Sequence, residues 1–139
     1  MQNLYEVYNI FLVAMSITAL IVFIALFFVT AGYGKFTTAK WGASVNNKIG
    51  WVLMESPVFF AMLILWVCSP RRFMIAPFVM FLLFEAHYFH RSFVFPALLK
   101  GESKMPVSII SMGVTFNLLN AVMQGGWLFY LSAPDRYPA

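Results

Sequence analysis

Charge is what this sequence has least of. Nine Lys or Arg and five Asp or Glu stand among 139 residues, a charged share of 10%, where soluble domains carry roughly 25%. A chain so poor in charge has too little polar surface to fold as a soluble domain, and its 62% hydrophobic content excludes disorder. The single Cys68 excludes an internal disulfide, and with it a small secreted scaffold. The nine basic residues are scattered, with no basic patch, so nucleic acid is not an expected partner; their expected role is to set topology from loops. The N-terminus has no basic n-region and carries Glu6 instead, and its apolar run far exceeds the ~7–15 residues of a signal-peptide core. It reads as a retained first span.

What is present is apolar length. Val7 to Gly34 is 28 residues without a charge, and Met105 to Pro134 is 30. A bilayer core needs about 20 apolar residues as helix, so each run is long enough to span it. The expected fold is an all-α integral membrane domain with four transmembrane helices, at about 8–31, 49–68, 73–96 and 107–131. Gly32-Tyr33-Gly34 is expected to end the first helix. The turn Ser69-Pro70-Arg71-Arg72 makes the second and third spans an antiparallel hairpin, and Lys100-Gly101-Glu102-Ser103-Lys104, closed by Pro106, forms a polar turn. Lys35, Lys40, Lys48, Arg91, Lys100 and Lys104 lie on one side of the membrane, and Arg71, Arg72 and Arg136 on the other. The excess places the 32–48 and 97–106 loops in the cytoplasm and both termini of this chain outside.

Acidic and basic side chains inside the spans are confined to the two inner ones: Glu55 in the second, and Glu85, His87, His90 and Arg91, with Tyr88 among them, in the third. At membrane depth such residues are costly, usually face the bundle interior and are functional candidates; structural ion pairs are the plainer alternative. At 100° per residue, Glu85, Tyr88 and Ser92 share a sector of about 60°, with His87, His90 and Arg91 on the other side. Arg91 and His90 lie near the cytoplasmic end, where a long basic side chain can snorkel outward. His87 and His90 as a pair have no third and fourth ligand at a recognisable spacing, so no metal is expected. Glu55 lies about 15 residues before the middle of the 69–72 turn and Tyr88 about 17 after it; at 1.5 Å per residue they sit within roughly 3 Å of one depth. They can therefore meet across the hairpin. A carboxyl group buried there can be neutral and share a proton, and a Tyr hydroxyl bonded to it is a suitable electrophile for a carbonyl oxygen. On the fourth span, Gly113, Asn117, Asn120 and Gln124 project within about 60° of one another, a polar seam suited equally to interhelical hydrogen bonds and to ligand contact.

These residues carry a resemblance. Gly32-Tyr33-Gly34-Lys35, Trp51-Val52-Leu53-Met54-Glu55-Ser56-Pro57, His87-Tyr88-Phe89-His90-Arg91-Ser92-Phe93-Val94 and Asn120-x-x-x-Gln124-Gly125 occur in that order. Together, from about residue 30 to Ala139, they resemble the N-terminal half of the steroid 5α-reductase family (3-oxo-5α-steroid 4-dehydrogenases); the first helix matches in hydrophobicity alone. The resemblance implies the first four helices of a seven-helix membrane reductase that uses NADPH to saturate the Δ4 bond of a 3-oxo steroid. It implies that Glu55 and Tyr88 hydrogen-bond the 3-keto oxygen, that Trp51, Met54, Met112, Gly113 and Phe116 line the substrate pocket, and that Tyr33 and Arg91 lie on the cofactor side. In some members Met112 is replaced by Arg and Met54 by Gln. Most of the family's NADPH-binding residues belong to the C-terminal half. That half is therefore an expected partner, in a further segment or a separate chain, beside a lipophilic steroid-like substrate and membrane lipid.

Two other readings compete. A four-helix proton-coupled transporter suits the length and helix count, but such transporters carry their key carboxylate in the first helix, which here has none beyond Glu6. A non-catalytic helix-bundle subunit leaves Glu55, Tyr88 and the polar seam of the fourth span with packing as their only purpose.

Overall fold

The computed structural model describes residues 2–30, 39–133 and 136–137. The chain divides into two units, Met1–Ala31 and Gly32–Ala139. The first holds one helix, α1 (Gln2–Ala25), in which the hydroxyls of Ser16 and Thr18 donate back to the carbonyls of Leu12 and Ala14. It starts earlier than expected and stops before the glycines, which lie outside the described residues. From Leu26 the bonding tightens, with Phe27 N–H donating to Ile24 and Phe28 N–H to Ala25.

The second unit begins with a short 3-10 turn (Ala39–Trp41), then β1 (Ser44–Asn46) and α2 (Asn47–Val67). Asn46 caps α2 by accepting from Lys48 N–H at 2.9 Å. Helix α3 (Ile75–Phe89) passes through a π turn (His90–Val94) into the short α4 (Phe95–Leu98). Strand β2 (Lys104–Pro106) leads into α5 (Val107–Gly126), which ends in a second π turn (Trp127–Leu131). Pro96 has no N–H to give the preceding turn, and the chain answers with the wider turn, closed by Phe95 N–H onto the His90 carbonyl.

Three described helices are long and apolar enough to cross a membrane: Gln2–Ala25, Asn47–Val67 and Val107–Leu131. The stretch expected as the span 73–96 is instead α3, the π turn and α4 in succession. It is the stretch that carries Glu85 and Arg91.

Strands β1 and β2 pair antiparallel, Ser44 with Pro106, Val45 with Met105 and Asn46 with Lys104. The sequence gives no sign of this ribbon. It ties the 32–48 and 97–106 loops to one end of the unit, and both α2 and α5 start from it. Their partners then advance together: Gly50 faces Met105, Gly113 faces Met54, and Gly125 faces Met62 and Leu65. The two helices therefore run side by side in the same direction. Helix α3 runs the other way, as the ring pairs Trp66–Phe81, Phe59–Phe89 and Trp51–Phe95 show in turn. The antiparallel hairpin of α2 and α3 is thus present as the sequence predicts.

Two apolar clusters form the core, Met54, Met105 and Ile110 near the ribbon and Met62, Phe81, Leu128 and Phe129 toward the opposite end. At that opposite end Arg71 donates to the hydroxyl of Ser132 at 2.8 Å and to its carbonyl, while Ser69 donates to the Phe129 carbonyl at 3.3 Å. These bonds fasten the α2–α3 turn to the C-terminal end of α5, where a cation also meets the negative end of the helix dipole.

Candidate functional site

Between the two apolar clusters lies a polar layer built from α2, the α3 path and α5. Pro57 lies inside α2 and removes one rung of its ladder just after Glu55. Glu55 is buried and carries two partners. Its Oε1 is 2.8 Å from Arg91 Nε, and its Oε2 accepts from Asn117 Nδ2 at 3.1 Å. The same amide nitrogen donates to the Met54 carbonyl at 3.0 Å. Arg91 also rests over the Trp51 ring, 5.2 Å from its centroid. The pair is lopsided: the Arg91 side chain is 44% exposed and that of Glu55 only 4%.

Tyr88 is half-buried on the same layer. Its hydroxyl oxygen accepts from Asn120 Nδ2 at 3.1 Å, and Asn120 Oδ1 in turn accepts from Gln124 Nε2 at 2.8 Å. The phenolic proton is therefore not committed to Asn120. Glu55 and Tyr88 lie at nearly one level, since they bond to Asn117 and Asn120, one turn apart on α5. Among the described residues, however, no hydrogen bond joins them: Arg91 and Asn117 hold the carboxylate, and Asn120 holds the phenol. Arg91 has the reach to take the place foreseen for Tyr88, because its side chain extends farther and bears the opposite charge.

Of the expected substrate-lining residues, Trp51, Met54, Met112 and Gly113 come together around a cleft of about 230 Å³, with Met105 and Ile109. Phe116 is not on its wall and is exposed. Arg91, expected on the cofactor side, lies on this same cleft. Tyr33 lies outside the described residues. Tyr88 opens instead onto a second cavity of about 610 Å³, walled by Met62, Leu83, Phe84, Trp127 and Leu128, with His87 and Gln124 as further polar groups.

Asn117 and Asn120 each bond across to a neighbouring helix, and Gln124 bonds within its own helix, so the seam of α5 is spent largely on holding the layer together. Glu85 is buried one turn from Tyr88, and both its carboxyl oxygens lack a partner among the described residues, as does the Ser92 hydroxyl. Sequence spacing put Glu85, Tyr88 and Ser92 on one face, and that face does turn inward. Among the described residues no three His, Cys, Asp or Glu side chains converge.

No protein-family profile matches the chain. Individual proteins do. Steroid 5-alpha-reductase DET2 of Arabidopsis thaliana is 32% identical over 111 residues, covering 76% of this chain and 42% of the relative. The 3-oxo-5-alpha-steroid 4-dehydrogenase 2 of Sus scrofa is 35% identical over 120 residues, 84% of this chain and 46% of the relative. Its Homo sapiens counterpart is 33% identical over 111 residues, 77% and 43% respectively. The chain thus spans about half the length of the curated relatives it matches.

Proposed function

Because this chain belongs to the steroid 5α-reductase family, matching it as an N-terminal half would, we propose that it supplies the carbonyl-activating part of a membrane enzyme that reduces the Δ4 bond of a 3-oxo steroid, or a similar lipophilic enone, to the 5α product. The observation that carries this reading is the hydroxyl of Tyr88. Asn120 fixes its oxygen as an acceptor, which leaves its proton for an incoming carbonyl oxygen, in a layer that also holds Glu55 and Arg91. A donor aimed at such an oxygen favours the enolate that forms as the enone is reduced. Tyr88 and Glu55 are the proposed carbonyl site. Trp51, Met54, Met112 and Gly113, on the neighbouring cleft, are the proposed apolar substrate wall, with Phe116 as the outlying member of the set, while Tyr88 itself opens onto the larger cavity.

NADPH is the proposed hydride source of the whole reductase. The resemblance puts most NADPH-binding residues in the C-terminal half, and this chain covers 42% and 46% of two of its relatives. The dinucleotide cradle is therefore assigned to the rest of the reductase, with Tyr33 on the cofactor side. In the membrane, the helical path 75–98 is proposed as the third of four spans, the ribbon end as cytoplasmic and the N-terminus as outside.

The reading is tested on the complete protein, in bilayers, by NADPH oxidation with a Δ4-3-oxo steroid. Tyr88→Phe, which deletes only the donor, is expected to lower turnover about 100-fold or more while the protein still inserts and folds. A wild-type rate in that variant contradicts the assignment.

A further inference from the structure

We propose that Met54 is the adjustable wall of the substrate cleft. With its thioether seated in the notch that Gly113 leaves in α5, the cleft is open to the apolar body of a substrate; with the thioether turned out of the notch, the cleft is filled. This rests on the reductase reading above and deepens it, since such a wall lets one site take lipophilic enones of different bulk.

Three glycines along the α2–α5 seam each face a methionine: Gly50 faces Met105, Gly113 faces Met54 and Gly125 faces Met62. The three pairs are not equivalent. A Cβ at Gly50 would lie 2.9 Å from both Cβ and Sδ of Met105, so the root of that side chain, which its own rotations cannot withdraw, presses on the glycine. Met62 is buried in the opposite apolar cluster, with Leu65 sharing its notch. At Gly113 the contact is with outer atoms. A Cβ there would overlap Cγ and Sδ of Met54, while Met54 Cβ would stay 3.8 Å away. Rotation about the side-chain bonds therefore frees the Met54 thioether without moving the backbone. That backbone is held from α5, because the Met54 carbonyl accepts from Asn117 Nδ2 at 3.0 Å, one turn beyond Gly113. Of the three pairs, this one alone has both members on the wall of the 230 Å³ cleft.

Methionine is suited to the task. It is unbranched and polarisable, changes rotamer readily, and packs equally well against a glycine backbone or an apolar ligand. An open apolar cleft leaves its lining short of van der Waals partners, which favours the turned-out side chain when no ligand is bound. A ligand restores those contacts itself and sends the thioether back to the notch. Occupied and empty clefts thus favour different Met54 rotamers, the differential contact a ligand needs to shift such an equilibrium. Met105 and Met112 stand on the same wall, and methionine-rich sites take ligands of varied shape by repacking.

The test uses the complete reductase in lipid nanodiscs, with kcat and KM for a Δ4-3-oxo steroid and the carbon-13 resonances of the methionine methyl groups. The Met54 signal is assigned by its loss in Met54→Ala. In wild type, steroid binding is expected to shift that signal. Gly113→Ala removes the notch and turns the thioether into the cleft, so KM should rise about tenfold or more with kcat within about threefold. Its Met54 signal should no longer respond to steroid. Because the added methyl also presses on the α2–α5 contact and risks misfolding, the double variant G113A/M54A keeps the methyl and removes the side chain it displaces. Its KM should return to within about threefold of wild type. A KM that stays raised in the folded double variant overturns the proposal, since the methyl and not Met54 is then the obstacle. So does a wild-type KM in Gly113→Ala, or a Met54 signal in wild type that ignores the steroid. These failures leave the reductase reading standing, whereas a wild-type protein that turns over no Δ4-3-oxo steroid overturns that reading, and the proposal with it.

Discussion

Glu55 and Glu85 sit on facing helices of the same unit, and their surroundings set them apart. Glu55 is paired, each oxygen matched by a donor. Glu85 is as deeply placed, yet neither of its oxygens meets a donor among the described residues. An unmatched buried polar group costs about 1–3 kcal/mol. Glu85→Met, which keeps the length and loses the polarity, should therefore stabilise the 139-residue chain by that order, read from denaturant unfolding in detergent micelles. Unchanged or reduced stability would mean that Glu85 has a partner outside the described residues. The depth of Glu55 and Tyr88 was legible in the sequence, because a tight turn sets the count on both sides of the hairpin. Their partners were not. Arg91 reaches Glu55 through the length of its side chain and the π turn ahead of Pro96, and spacing at 100° per residue records neither.

At the scale of elements, α2 and α5 owe their close approach to glycine. A Cβ at Gly113 would overlap the Met54 side chain, and one at Gly125 would lie 2.8 Å from Leu65 Cδ1. Gly126, the next residue, faces open space. Gly125→Ala should cost about 1–3 kcal/mol by overpacking, whereas Gly126→Ala should gain up to about 1 kcal/mol from helix propensity. Unfolding midpoints of the two variants, compared with wild type, check the pair; equal shifts would contradict the tight α2–α5 contact. The sequence placed Gly113 on the seam of the fourth span; that the Met54 side chain packs against it there is seen only in the fold. The ribbon was hidden from it altogether. Its strands are three residues each, about sixty positions apart, and one ends in Pro106, so neither alternation nor turn chemistry marks them.

For the whole molecule, the scarcity of charge already decided the membrane class, and the long uncharged runs became α1 and the α5 path. The stretch expected as the third span is less regular than its apolar composition implies, because Pro96 and the polar layer interrupt it. The chain spans about half the length of its curated relatives, and its described residues include an apolar cleft with Arg91 on its wall and, on a separate cavity, a phenol whose proton is not taken up by Asn120. The central claim is that this layer activates an enone toward hydride. The most direct measurement is mass spectrometry of the product formed by the complete protein from a Δ4-3-oxo steroid and NADPH deuterated at the transferred position. The account predicts a 5α product with deuterium at C5 and none at C4, formed by wild type and nearly lost in Tyr88→Phe. Deuterium at C4, or undiminished product from Tyr88→Phe, would contradict it.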